Sequence, residues 1–343
     1  MKALVLSAYK KLELLDLPIP QPAADELLVR IRACGICGSD VHGYDGSTGR
    51  RLPPIVMGHE AAGVVEAVGS GVTDFKPGDR VTFDSTVSCG KCFYCLRGQI
   101  NLCDNREVVG VSTPSFKRMG AFAEYVTVPA RIAYPLPGLM PFAHAAMIEA
   151  VSVAVHAVSL TPITASDTAV VVGAGMIGLL TLQAVRHAGA GRVFVLDLDD
   201  SRLEMARSLG ATETFNSRND DVIQKIVGRT EGRGADVALE CVGNTAAVRL
   251  AVESVRKGGA VTLVGNVAPT IELGLQSVVS RQIRLQGSCA SSGEYPECIA
   301  LMASGAIQVE PMISAVAPLD EGIAWFERLY AREPGLLKVV LEP

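Results

Sequence analysis

The stretch VVVGAGMIGLL, residues 170–180, constrains this chain more than any other. A run of three valines reads as a buried strand, and Gly173, Gly175 and Gly178 follow it where an amphipathic helix begins. The first glycine permits a tight turn, the second lets backbone approach a pyrophosphate, and the third lets the helix pack close on the strand. The helix start presents unpaired amides and a positive dipole end to phosphate. The next strand, RVFVLD, ends at Asp197, nineteen residues after Gly178. A carboxylate there accepts hydrogen bonds from ribose hydroxyls and repels a 2′-phosphate, so the pattern predicts NAD over NADP. Met176, Ile177, Val242 and Val264 complete the candidate cofactor set, with Arg202 as the side chain able to receive a phosphate if Asp197 turned away. A purely structural glycine turn is the alternative, and Asp199 and Asp200 read equally as solvated surface charges.

The texture around this motif sets the organisation. From about residue 151, apolar strand runs (ADVALECVG, AVTLVGN) alternate with helical segments (SRLEMARSLG, DDVIQKIVGRT, TAAVRLAVESVRKGG), the rhythm of βαβ units around a doubly wound parallel sheet. Before it, short alternating runs such as LLVRIRACG, DRVTFD and AFAEYVTV, broken by glycine and proline, predict an antiparallel, barrel-like β domain. A length of 343 residues favours two domains. The expected boundaries are 1–150, 151–288 and a C-terminal segment, 289–343, returning to the first domain.

Thirty-one basic against 36 acidic side chains give a net charge of −5, with no basic field for nucleic acid. MKALVLSAYKK reads as a first strand rather than a signal peptide. The apolar stretch AHAAMIEAVSVAVHAVSL carries Glu149 and two histidines, and reads as too short and polar to span a bilayer. Nine cysteines, an odd number, argue against a disulfide framework and for a reducing cytoplasm with metal-bound thiolates.

Cys89, Cys92, Cys95 and Cys103 have the spacing C-x2-C-x2-C-x7-C. Four thiolates close a tetrahedral zinc completely, which makes the site structural. An iron–sulfur cluster would need a redox partner and a nucleic-acid zinc ribbon a basic surface. A second group lies in CGICGSDVHG and MGHEAAG: Cys37, Ser39, Asp40, His42, His59 and Glu60. A catalytic zinc takes about three Cys, His or carboxylate ligands and keeps one position open. Cys37 and His59 suit that role, with Glu60 and Glu149 as carboxylate candidates. Each also has a plain reading, as a buried thiol, a satisfied histidine or a charge at a helix start.

CGICGSDVHG, PIVMGHEAAGVV, KPGDRV, the cysteine cluster, GAFAEYV, VVVGAGMIG and ALECVG occur in an order that resembles the zinc-dependent medium-chain dehydrogenases along the whole chain. IEAVSVAVHA is similar to a segment of the polyol and sugar-alcohol members, sorbitol and galactitol-1-phosphate dehydrogenases among them. The resemblance implies a GroES-like β-barrel catalytic domain, a Rossmann NAD-binding domain, and an active site where the two meet. It implies one catalytic and one structural zinc per chain, the first bound by Cys37 and His59. Glu60 and Glu149 would ligate directly or hold the metal-bound water, the third ligand being left open. It implies that Ser39 takes the hydroxyl proton and that His42 relays it to solvent while hydride passes to NAD. A small-molecule secondary alcohol as substrate and a homodimer or homotetramer also follow from it. Rival expectations are a threonine or butanediol dehydrogenase with the same machinery, and a non-catalytic NAD-binding, zinc-stabilised interaction protein. Two departures stand out: Ala150 replaces a common proline, and Ala290 and Ser291 replace an Arg-Tyr pair of the sorbitol enzymes.

Overall fold

A computed structural model describes residues 1–218 and 221–343. The chain divides into two compact units, one of residues 1–149, 295–303 and 309–343, the other of residues 150–294 and 304–308. The C-terminal segment is therefore shared, which corrects the expectation that 289–343 returns as a whole. Specific bonds hold the exceptions in the second unit. Glu294 meets His156 Nδ1 at 2.6 Å, and Gln308 exchanges two backbone bonds with the Gln183 side chain.

In the first unit, strand Glu26–Gly35 is the hub of a seven-stranded sheet. It pairs antiparallel with Glu60–Val68, Tyr125–Pro129 and the C-terminal strand Lys338–Glu342. Apolar side chains alternate along it, with Leu27, Val29 and Ile31 buried beside Leu4, Phe83 and Phe122. Phe326 closes this core edge-on against Phe122, ring centroids 5.6 Å apart, while Trp325 stays partly exposed under the Arg328 guanidinium. The register places Gly35 opposite both Glu60 and Val340. A Cβ on Gly35 would collide with the Glu60 carboxylate, so glycine is what admits a carboxylate into the sheet interior there.

In the second unit, six parallel strands lie in the order Glu213–Asn216, Arg192–Asp197, Thr168–Val172, Ala235–Glu240, Val255–Leu263, Arg284–Gly287. Strand Thr168–Val172 is buried throughout, as its unbroken valine run requires of a parallel strand covered on both faces. Helices Met176–His187, Asp200–Ser208, Val222–Arg229 and Thr245–Ser254 connect the strands, and Asp199, Asp221 and Asn244 side chains cap the last three. The strand order reverses beside Thr168–Val172, and in such sheets ligands bind at the carboxyl ends of the strands flanking that point.

By length and composition alone, Phe142–Ser159 is long and apolar enough to cross a membrane, which corrects the reading of this stretch as too short and polar. It is two helices, Phe142–Ala145 and Ile148–Ser159, and 67% of it is buried within the protein. That burial accounts for its apolar character.

Candidate active site

The first polar cluster is assembled by two elements of the first unit. Cys37 caps helix Gly38–Tyr44, its Sγ accepting the Ser39 N–H at 3.4 Å. His59 and Glu60 stand at the head of strand Glu60–Val68. One ligand atom each from Cys37, His59 and Glu60 lie within 4.8 Å of one another. The Ser39 hydroxyl sits among them, 3.3 Å from Cys37 Sγ and 3.5 Å from His59 Nε2. His59 therefore turns Nε2 toward the thiol while Nδ1 faces Asp40 Oδ1 at 3.4 Å. This division of labour is typical of a metal-binding imidazole, whose other nitrogen is oriented by a carboxylate.

The electrostatics fit a cation. Burial works against a charged His59, yet Asp40 and Cys37 outweigh it and raise the imidazole well above its ordinary pKa. Asp40 is buried too, and His59 and Arg51 hold its carboxyl well below the usual range. His59 Nδ1 and Asp40 Oδ2 are buried without a hydrogen-bond partner. Thiol, imidazole and carboxylate together are a zinc-type donor set.

Two side chains that no local motif announced complete the cluster. Lys338, at the start of the C-terminal strand, is buried, bonds the Glu60 carboxylate and donates to the Ile36 carbonyl at 3.1 Å. Burial opposes its charge, but Glu60 and Cys37 raise its pKa above the ordinary value. Arg51 donates to Asp40 Oδ1 through Nη2 at 2.8 Å and through Nε at 3.2 Å. Their only signal in the sequence was a cation directly beside a run that reads as core, in LLKVVLEP and, next to Arg50, in RRLPPIVM.

Glu149 opens helix Ile148–Ser159 and is not one of the converging ligand atoms. Burial pushes its carboxyl up to about 7, with His59 pulling it down and Glu60 pushing it up. Ala150 continues that helix without interruption. His42, in the last turn of Gly38–Tyr44, is exposed.

The four cysteines of the second cluster also converge, with all Sγ atoms within 4.8 Å of one another. Cys92–Cys95 and Cys89–Cys95 sulfur separations are 3.5 and 4.0 Å. A tetrahedron with Zn–S bonds of about 2.3 Å requires sulfur separations of about 3.8 Å, so the loop is shaped for that ion. The Lys91 amide lowers the Cys89 thiol to about 6, whereas burial lifts Cys103 to about 11.

In the second unit, the glycine turn is built as a phosphate cradle. A Cβ on Gly178 would lie 1.7 Å from the Gly173 carbonyl oxygen, so the helix packs there only without a side chain. A Cβ on Gly175 would meet no atom within 4 Å, leaving open space above the start of Met176–His187, where Met176 and Ile177 lie. Asp197 ends the second strand and is pinned beside the turn: Oδ2 accepts from Ala174 N at 2.6 Å, Oδ1 from Leu198 N at 2.7 Å and Asp199 N at 3.0 Å. Arg202 is half-buried on the following helix. Sequence reading missed Glu240. Its carboxylate accepts from Val242 N and Gly243 N at 2.7 and 2.8 Å, and its carbonyl from Val264 N and Gly265 N at 2.8 and 2.9 Å. One buried residue thus fixes the two turns that carry Val242 and Val264.

A doubly wound sheet with a glycine phosphate cradle, on the same chain as a thiolate–imidazole–carboxylate site with a hydroxyl beside it, defines a nicotinamide-dependent oxidoreductase. Comparison with known proteins agrees. Residues 23–138 match the alcohol dehydrogenase GroES-like domain and residues 177–304 the zinc-binding dehydrogenase domain. Sorbitol dehydrogenase of Bacillus subtilis (strain 168) is 35% identical over 347 residues, covering 100% of this chain and 97% of that protein. L-threonine 3-dehydrogenase of Anaeromyxobacter sp. (strain Fw109-5) is 35% identical over 334 residues, covering 95% and 94%. A Sinorhizobium meliloti 1021 protein assigned as a zinc-binding dehydrogenase, its crystal structure bound to NADP, superposes with a TM-score of 0.92 at 34% identity, covering 100% and 99%. The chain belongs to the zinc-type, medium-chain alcohol dehydrogenase family.

Proposed function

We propose that this protein oxidises a secondary alcohol of a polyol, sugar alcohol or sugar-alcohol phosphate, passing hydride reversibly to NAD. The observation that carries this reading is the convergence of Cys37, His59 and Glu60 around the Ser39 hydroxyl. Cys37, His59 and Glu60 would hold the catalytic zinc, and the closed Cys89, Cys92, Cys95 and Cys103 set a structural one. Bound there, zinc supplies Lewis acidity that lowers the pKa of a substrate hydroxyl, while the nicotinamide supplies the hydride acceptor.

The chain's own residues do the rest. Ser39 would take the hydroxyl proton, a reading supported by its position beside Cys37 and His59, and exposed His42 would exchange a proton with solvent. Lys338 compensates the buried charge of Glu60. Glu149, with a carboxyl near neutrality, holds or releases a proton beside the ligands. Asp197, kept at the strand end by three amides, favours NAD by repelling a 2′-phosphate.

The sorbitol dehydrogenase relative and the IEAVSVAVHA segment support a polyol. The threonine dehydrogenase relative keeps an amino alcohol as the second reading. One screen decides: zinc-loaded protein with polyols, their phosphates, aldonates and amino alcohols, with NAD and NADP in parallel. The expected result is NAD reduction on a polyol or its phosphate at a kcat/KM at least about tenfold above that on threonine. Turnover on threonine alone transfers the assignment, and no turnover on any alcohol refutes it.

The protein is proposed to be cytoplasmic, supported by an odd count of nine cysteines, five of them in the two metal-type clusters, and to act without nucleic-acid or membrane partners. It is also proposed to form a homodimer or homotetramer. Strand Arg284–Gly287 ends the parallel sheet, bonded on one side to Val255–Leu263. The segment before it exposes Leu275 at 65% and Val279 at 69%. An open sheet edge next to apolar side chains suits pairing with a second copy. Val279→Asp is expected to shift the mass measured by analytical ultracentrifugation toward the monomer. An unchanged mass would move the interface elsewhere.

A further inference from the structure

We infer that Arg51 is a positioning residue that couples the orientation of His59 to the proton relay at Ser39, an inference that rests on the functional reading of those two residues. Its guanidinium reaches both at once. Nη2 lies 2.8 Å from Asp40 Oδ1 and 3.4 Å from Ser39 Oγ, and Nε lies 3.2 Å from the same carboxylate oxygen. Nη1 donates to the Arg50 carbonyl at 3.1 Å. The loop beneath is fixed to the neighbouring chain by Leu52 N to Ser112 O and Ser112 N to Arg50 O, each 3.2 Å. Gly43 leaves the passage for the stem, since a Cβ on it would collide with Arg51 Cγ.

Each contact has a distinct consequence. Asp40 is wholly buried and His59 and Arg51 are 6% and 4% exposed, so water cannot compensate these charges. A buried carboxylate stripped of its cation is strongly disfavoured, and Arg51 is what lets Asp40 stay charged 3.4 Å from His59 Nδ1. That contact fixes the imidazole with Nε2 toward Cys37. At Ser39 the guanidinium can only donate. It therefore occupies an acceptor position of the hydroxyl oxygen and leaves the single hydroxyl hydrogen to point away, here toward Cys37 Sγ. The relay hydroxyl is thereby given a direction.

The fork geometry separates the two roles. A lysine ammonium can meet Asp40 but cannot span Asp40 and Ser39 as a planar guanidinium does. The test uses the full-length zinc-loaded protein and compares Arg51→Lys with Arg51→Gln. The readouts are zinc release to a chelator, taken from the phase that His59→Ala abolishes, and kcat and KM for the alcohol. Arg51→Gln is expected to release that zinc about 10–100-fold faster, the usual effect of losing an outer partner of a ligand. Arg51→Lys is expected to release it within about threefold of the wild-type rate, yet to lose about tenfold or more in kcat with KM changed less than about threefold. Wild-type release from Arg51→Gln would overturn the role at Asp40, and full turnover by Arg51→Lys would overturn the role at Ser39. If both variants lose only thermal stability, Arg51 is a packing residue. Zinc release is read without any substrate, so a failed alcohol screen would refute the functional reading and leave this arm decisive.

Discussion

His59→Ala is expected to lose at least about 10³-fold in alcohol oxidation while retaining its fold, its cofactor affinity and one zinc per chain. The size follows from what the side chain holds. Lewis-acid stabilisation of a developing alkoxide amounts to several kcal/mol, and each 1.36 kcal/mol is a decade in rate. His59 supplies one of three converging ligand atoms, and Cys37 and Glu60 alone leave zinc exposed to exchange. The variant also leaves Asp40 facing an empty space across which only Arg51 compensates it. Glutamine at position 59 would fill part of that space without supplying an imidazole nitrogen, so it should not restore turnover. The cofactor turn belongs to the other unit and should be untouched, which fluorescence titration with NADH would check. A variant within tenfold of wild-type activity would remove His59 from the metal site.

The contrast between what was visible in the sequence and what was not follows the distance over which each feature is specified. The Gly173–Gly178 turn, its strand and its helix are contiguous, and each glycine answers a local steric demand, so the parallel sheet could be expected from the pattern alone. The cysteine cluster is local for the same reason: fifteen residues close on one point. Lys338 is different. It reaches Glu60 only because Gly35 pairs with Glu60 on one side and Val340 on the other, a register that joins positions 278 residues apart. Periodicity near the C-terminus marks a strand but not the partner of its first residue. Arg51 lies in a loop whose course is set by Ser112, again a distant contact. Glu240 reads as one more residue of an apolar strand, and only the turns that follow it show why a carboxylate stands there. Charged residues at buried positions were thus the least legible part of the site, because their justification is a partner rather than a pattern.

Cys92→Ser is expected to behave in the opposite way from His59→Ala: one zinc lost per chain, a lobe opened to protease between residues 89 and 103, and turnover reduced less than about tenfold. The lobe has little else to hold it. Its regular structure is two single-turn 3₁₀ helices, Cys95–Arg97 and Ile100–Leu102, and Phe93, Leu96 and Leu102 point outward rather than into a core. Of the four thiols only Cys103 is buried. With so little apolar burial, the metal must provide the folding free energy of the segment, about 10–16 kcal/mol for comparable zinc modules. Removing one of four ligands forfeits enough of that for the open form to dominate, so cleavage within the lobe should accelerate by more than about 100-fold. Partial proteolysis with and without added zinc measures this directly. The chemistry is spared because a site closed by four sulfurs has no position for substrate. Turnover lost in parallel with lobe cleavage would mean that the lobe shapes the active site as well as its own fold. A lobe that resists protease after losing its zinc would show that packing, not metal, holds it.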